Sequence, residues 1–172
     1  WREASWGPGR FGPMIPATVT FYGVVKAIHV FAVVFAFGVT FSYPLVLPWL
    51  RAKHPDVLPT YHEMQGRLGR MMVTPGMVLI LLSGIYLASD GDFWKESWVT
   101  IPFIILIILL GMGGAFFSSR ERKLTETAKR DLAGGGTLGP EYDQQSKALT
   151  IAGSIAGALI VIAVFIMVAK PF

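Results

Sequence analysis

The stretch 27–50 reads AIHVFAVVFAFGVTFSYPLVLPWL, which is 24 residues without an Asp, Glu, Lys or Arg. An α-helix needs about 20 mainly apolar residues to cross the hydrocarbon layer of a membrane, so this stretch predicts a transmembrane helix. Three more uncharged stretches of comparable length follow, at 71–89, 97–119 and 148–169. Because lipid offers backbone groups no hydrogen-bond partner, each should be helical. The sequence therefore predicts an all-α integral membrane four-helix bundle.

The chain, 1–172, is predicted to form a single transmembrane domain. An outer arm rich in Pro, Gly and Trp occupies residues 1–17. The four spans lie at about 18–50, 71–89, 97–119 and 148–169, and the two cytoplasmic connectors lie at 51–70 and 120–147. In the first connector, Thr60 followed by Glu63 has the spacing of a capping box and predicts a helix beginning at Tyr61. The third helix is expected to continue into the charged segment and to end at the Gly134 turn, and Pro140 to begin the fourth.

The distribution of basic residues predicts the orientation. The connectors 51–70 and 120–147 hold ten Lys and Arg residues, and the rest of the chain holds five. By the positive-inside rule both termini face outward (N-out/C-out) in a multi-pass protein of a bacterial-type inner membrane. The net charge of +4 is then a property of the membrane flanks, and no nucleic acid is expected. The expected partners are membrane lipid and other integral membrane subunits or a second copy.

A single histidine, His29, lies inside the four uncharged stretches. Burying such a group in a membrane is costly, so it marks a functional site by default. A neutral imidazole is a good axial ligand for haem iron or for the magnesium of a chlorophyll-type ring, and small residues on the same face, Ala32 and Ala36 among them, would leave room for a flat macrocycle. Two alternatives stay open: a structural hydrogen bond to a neighbouring helix or to Tyr86, and proton handling.

A second axial ligand is harder to find. His54 and His62 belong to the inner connector, on the opposite side from His29. Met167 lies near the outer end of the fourth span at a comparable depth, and it is the predicted second ligand, with simple packing as the alternative. The predicted cofactor is thus haem b or a chlorophyll-type tetrapyrrole on His29 and Met167, with His29 as the metal ligand. The absence of cysteine excludes disulfides and thiolate sites.

The fourth span carries Gly153-x-x-x-Gly157, a spacing of small residues that lets two helices approach closely. The predicted use of this face is packing inside the bundle, with contact to another membrane subunit as the alternative.

Five segments follow one another in order along the four spans: Lys26-Ala-Ile-His29 with VFAVV behind it, Gly66-Arg-Leu-Gly-Arg70-Met-Met-Val-Thr-Pro75, Gly84-Ile-Tyr-Leu-Ala88, Phe93-Trp94 with Trp98, and Val168-Ala-Lys-Pro-Phe172. In this order they resemble HemJ-type protoporphyrinogen oxidases and related four-helix membrane families of the wider copper-resistance-D-like group. The resemblance implies a haem-binding histidine at His29. It also implies a functionally required lysine shortly after the Trp that begins helix three, where this chain has Pro102.

Three functions are compatible with these features. The leading hypothesis is a non-catalytic accessory or structural subunit of a larger respiratory or photosynthetic membrane complex, with a tetrapyrrole held on His29. The alternative is a haem-b membrane oxidoreductase of the HemJ type that oxidises protoporphyrinogen IX or works on a quinone. A small transporter is the third, and the spans contain no carboxylate to support it.

Overall fold

The computed structural model describes residues 19–171, so the predicted outer arm 1–17 lies outside the described residues. Within them the backbone is helical apart from short connections, and it contains no strand. Seven α-helices follow in order: α1 Phe21–Gly38, α2 Tyr43–Lys53, α3 Leu58–Leu68, α4 Thr74–Asp90, α5 Ser97–Gly111, α6 Ser118–Leu132 and α7 Pro140–Ala169.

Short 3₁₀ or π turns join these segments into four long helices, Phe21–Lys53, Pro55–Asp90, Ser97–Gly135 and Pro140–Ala169. Each is long and apolar enough to cross a membrane. The prediction of an all-α integral membrane four-helix bundle is confirmed. The third long helix has 39 residues, which is about 58 Å at the rise of a helix. It is therefore longer than the hydrocarbon layer is thick, and it continues into the charged segment α6 as the sequence predicts.

Local chemistry explains most of the helix ends. Thr20 begins α1, and its hydroxyl accepts a hydrogen bond from the Gly23 amide at 3.1 Å. The helical geometry of the third long helix breaks at Gly134, just after α6, where a φ of 67° lies in the left-handed region. The Asp131 carboxylate accepts a hydrogen bond from the Gly139 amide at 2.9 Å, just before α7 begins at Pro140. The predicted end and restart at these positions are both confirmed.

The predicted start of the connector helix is wrong. Helix α3 begins at Leu58, directly after a 3₁₀ turn at Pro55–Val57, so Thr60 lies inside the helix instead of capping it. Proline explains the difference: Pro55 and Pro59 occupy first-turn positions, where the missing amide hydrogen leaves no bond unmade and φ is already helical.

The closest packing in the membrane region lies within two helix pairs, α1 with α4 and α5 with α7. In the first pair, a Cβ built on Gly76 would lie 2.6 Å from the Ala36 Cβ, so only glycine lets the two backbones approach this closely. Buried side chains from both pairs, Met77, Ile80, Leu106 and Ile160 among them, form the membrane core.

A second core lies on the connector side, where α3, α6 and α7 meet. Leu58, Leu124, Ala128 and Tyr142 form it, each 2% exposed or less. Exposed ion pairs, Lys129 with Glu63 and Arg51 with Asp143, surround this core. The connectors are thus part of a folded layer.

The Gly153-x-x-x-Gly157 face is only partly used within the bundle. A Cβ on Gly157 would lie 3.7 Å from Phe41 Cε1, in ordinary contact. Gly153 is exposed, and a Cβ there would meet nothing within 4 Å. The prediction of internal packing is therefore wrong for Gly153, because α7 has turned this position away from its neighbours.

Candidate functional site

His29 is buried, with 9% of its surface exposed, and its imidazole bonds with Ser83 and with the Ile80 backbone across the α1–α4 pair. Its Nδ1 lies 2.9 Å from the Ser83 hydroxyl oxygen. That hydroxyl donates its single proton to the Leu79 carbonyl at 2.6 Å, so it must accept from the imidazole. Nδ1 of His29 therefore carries a proton, and in the neutral imidazole, which burial in a membrane favours over the charged form, Nε2 carries the lone pair.

The side-chain partner of His29 is thus Ser83. Tyr86, the alternative partner considered from the sequence, instead donates to the Asp90 carboxylate at 3.4 Å and packs edge-on against Phe21. A Cβ built on Gly84 would lie 3.3 Å from His29 Cε1, so this glycine lets the imidazole lie against α4. Within residues 19–171 no side chain forms a hydrogen bond with Nε2. This is the arrangement of a metal-binding histidine, which donates its other ring N–H to a nearby oxygen.

His29 borders a cavity of about 70 Å³ between the α1–α4 pair and the α5–α7 pair, which we call the inter-pair cavity. Its lining includes Gly84, Trp94, Pro102 and Met167, and His29 is its one titratable residue in the described part of the chain. The structure thus brings together His29 and Met167, the two residues predicted to bind a cofactor, at one cavity. The ligand role of Met167 stays a prediction. Lys26 is exposed and lies outside this cavity.

The donor chemistry of His29 fits the metal of a tetrapyrrole, but the cavity beside it is small. The imidazole is neutral and oriented, and its Nε2 has no side-chain partner among the described residues. However, the cavity of about 70 Å³ is too small for a macrocycle as it stands. The small residues Ala32 and Ala36 do not provide that space, because they are buried in the core beside α4. A tetrapyrrole would need the two helix pairs to move apart.

A buried polar network on the connector side was missed by the sequence analysis. His62 is only 3% exposed; its Nδ1 lies 2.9 Å from Gln65 Oε1 and its Nε2 lies 2.9 Å from the Tyr142 hydroxyl. Burial lowers the pKa of His62, which favours the neutral imidazole. This histidine ties α3 to α7. The spacing of Leu124 and Ala128 on α6 was the available signal that this layer has a core.

Comparison with known proteins places the chain in a family. The family model described as "Predicted integral membrane protein (DUF2269)" matches residues 23–171, and the chain belongs to this family. No curated protein and no solved structure matches it.

Proposed function

We propose that this member of the DUF2269 family is a non-catalytic membrane subunit that holds a tetrapyrrole on His29. One observation carries the proposal: Ser83 fixes the proton on Nδ1, so Nε2 carries the lone pair beside an apolar cavity. A histidine needed only for structure would have a partner on each ring nitrogen, because a neutral imidazole has one donor and one acceptor. Here Nε2 has no side-chain partner among the described residues, inside a membrane where an unpaired polar atom is costly.

Each neighbouring residue has a positioning role. Ser83 sets the tautomer, and Gly84 lets the imidazole ring lie close to α4. The Ala36–Gly76 contact fixes α1 against α4, so the ligand is carried by a rigid pair of helices. Apolar residues around the inter-pair cavity exclude water. A bound tetrapyrrole would supply either electron transfer at haem iron or light absorption by a chlorophyll-type ring.

The non-catalytic part of the proposal rests on the cavity lining. A porphyrinogen oxidase needs a titratable group near its substrate. The lining has His29 alone in that class, and this residue is assigned to the metal. Pro102, at the position where the resembling family has its lysine, faces the same cavity and can neither give nor take a proton.

The second candidate function is a haem-b oxidase of the HemJ type. It is favoured by the position of Pro102 in the lining of the cavity that His29 borders. The structure puts position 102 at the cavity that His29 borders, which is where a functional lysine would act. Expression in cells that lack protoporphyrinogen oxidase separates the two functions. We expect no rescue by this chain, with an authentic lysine-bearing oxidase as the positive control. Rescue would refute the non-catalytic proposal.

The larger complex is supported by composition and exposure. The spans expose many large apolar side chains, such as Phe165 at 62% and Val168 at 79%, to lipid or to other membrane subunits. We propose a bacterial-type inner membrane as the location, with the basic connectors in the cytoplasm.

Absorption spectroscopy tests the cofactor directly. Protein purified in mild detergent, with and without added haem or chlorophyll-type pigment, should show a bound-pigment band that disappears in His29→Ala. His54→Ala is the matched control, because His54 is exposed in the connector. His62→Ala is unsuitable as a control, since His62 is buried and bonded to Tyr142 of the second core on the connector side, which we call the inner core. Absence of any pigment in the wild-type protein under all these conditions, or equal pigment in His29→Ala, would refute the proposal.

A further inference from the structure

A polar cluster far from His29 lies at the connector-side ends of the long helices. Its members are Tyr43 at the start of α2, Tyr61 in α3, Arg70 in the π turn Gly69–Val73, and Glu121 in the first turn of α6. We call these four residues the inner polar cluster. The carboxylate of Glu121 and the hydroxyl of Tyr61 both lie within electrostatic range of the Tyr43 hydroxyl. Neither the fold nor the proposed tetrapyrrole site uses these groups.

The two tyrosines contribute hydroxyl groups without partners. The oxygen atoms of Tyr43 and Tyr61 are both buried, and neither makes a hydrogen bond within residues 19–171. Tyr61 as a whole is 7% exposed. Buried hydroxyls are normally satisfied, so two of them in one cluster require an explanation. A hydroxyl can donate one hydrogen bond and accept others, so each of these two hydroxyls can donate to a carboxylate or accept from a carboxylic acid.

Glu121 differs from the other acidic residues on this side of the bundle. Most of them have a cation within 4.0 Å: Glu63, Glu126, Asp131, Glu141 and Asp143 are all paired with Lys or Arg. Glu121 is half-buried and has no such ion pair among the described residues. Its Oε2 and the Arg70 Nη1 each lie 3.5 Å from the point where a Cβ on Gly66 would sit, so they flank this buried glycine without forming an ion pair.

We propose that Glu121 is a proton-exchange site, which takes a proton from connector-side water and returns it. Uptake forms one O–H bond on the carboxylate, and no electron is transferred. The Tyr43 and Tyr61 hydroxyls have no partner within residues 19–171, so after a small side-chain movement they are available to donate to the carboxylate or to accept from the carboxylic acid. Arg70 lies close enough to favour the charged form but too far away to fix it as an ion pair.

The electrostatics of the cluster agree with exchange under physiological conditions. Burial raises the pKa of Glu121 to about 7, and the Arg70 guanidinium opposes this rise. Both protonation states are then populated near neutral pH. Arg70 from the π turn acts on Glu121, and Glu121 in turn acts on Tyr43 of α2, as does Tyr61 of α3. On α6 itself, Arg120 and Arg122 are exposed.

Infrared spectroscopy of the full chain in lipid nanodiscs tests the proposal. Difference spectra between pH 6 and pH 8 should contain the carbonyl stretch of a protonated carboxyl that is lost as the pH rises. Glu121→Gln should remove this band. Glu126→Gln is the matched control on the same helix, because Glu126 is exposed and paired with Arg122, and it should leave the band unchanged.

Arg70 provides a second test that does not remove the carboxyl. Arg70→Gln should shift the midpoint of the band to higher pH, because the cation that stabilises the carboxylate has gone. Arg67→Gln, three residues earlier and exposed, should shift the midpoint less. The proposal is overturned if no carboxyl band titrates between pH 6 and 8, if the band survives in Glu121→Gln, or if Arg70→Gln moves the midpoint downward.

Discussion

The contact between Gly76 and Ala36 gives a sharp prediction about the α1–α4 pair. In Gly76→Ala the new Cβ would lie 2.6 Å from the Ala36 Cβ. Two carbon atoms in contact normally lie about 3.5–4.0 Å apart, so the helices must separate by roughly 1 Å. Overpacking of this kind typically costs about 1–3 kcal/mol. Alanine also gains about 1 kcal/mol of helix propensity over glycine, so the net cost is about 0–2 kcal/mol. We therefore expect the unfolding equilibrium of Gly76→Ala to shift by up to roughly 25-fold, since 1.4 kcal/mol is a factor of ten.

Exchanging the two side chains isolates the steric cause. The double variant Ala36→Gly/Gly76→Ala moves the methyl group from α1 to α4 and removes the 2.6 Å contact. The remaining approach, 3.3 Å from the new Cβ to the residue-36 Cα, is tight but needs only a few tenths of an ångström of adjustment. Ala36→Gly alone loses helix propensity, about 1 kcal/mol. The double variant should therefore be more stable than Gly76→Ala.

Unfolding in mixed micelles of rising SDS mole fraction, followed by circular dichroism, measures all four proteins. Separation of α1 from α4 should also lengthen the bond from His29 to Ser83, so pigment retention should fall in Gly76→Ala and recover in the double variant. If Gly76→Ala is more stable than the wild type, or if the double variant is no more stable than Gly76→Ala, the close-approach argument is refuted.

Three further predictions follow from the orientation, the inner core and the His29 hydrogen bond. A cysteine introduced at Gly135 should react with impermeant reagents only from the cytoplasmic side and one at Gly91 only from outside, and reversed labelling would invert the proposed topology. Burial lowers the pKa of His62, so the unfolded chain binds a proton that the folded chain excludes, and stability should fall as the pH drops below about 6.5. Measured by SDS unfolding, this fall in stability should be smaller in His62→Gln than in the wild type. It should be unaltered in His54→Gln. Comparison with the wild type cancels the opposite contribution of Glu121, whose raised pKa favours the fold at low pH. Ser83→Ala should weaken pigment binding by about 10- to 100-fold in a titration with haem, because Nδ1–H loses its acceptor, and unchanged affinity would show that Ser83 does not orient the ligand.

The membrane fold was predictable because its signal is local. An uncharged stretch of about 20 residues leaves the backbone no other way to satisfy its hydrogen bonds in lipid. The end of the third helix at Gly134 and the restart at Pro140 were predictable for the same reason, since each depends on the backbone chemistry of one residue. The start of α3 was not, because two signals competed and the prolines at 55 and 59 prevailed over the capping box.

The inner core was missed because its contacts are distant in sequence. His62 meets the Tyr142 hydroxyl from 80 positions away, and nothing in the sequence of either segment specifies that pairing. The connector 120–147 is rich in charged residues, and its composition alone indicates no core. Its buried residues form a single face of α6, with Leu124, Thr125 and Ala128 turned towards α3 and α7. Helical periodicity can show such a face, but only the fold shows what covers it.

The small residues below His29 show where sequence reasoning reaches its limit. Alanine at positions 32 and 36 is compatible with two arrangements: space for a macrocycle, or close approach of another helix. Which arrangement forms depends on Gly76, a residue of a different helix. The structure shows close approach, and this has a consequence for the site. His29 precedes Ala36 by seven residues on α1, and Ser83 follows Gly76 by seven on the antiparallel α4. Seven residues are about two turns on either helix. The Ala36–Gly76 contact therefore fixes the register that brings the His29 imidazole to Ser83, so the orientation of the proposed ligand depends on a glycine about two turns away.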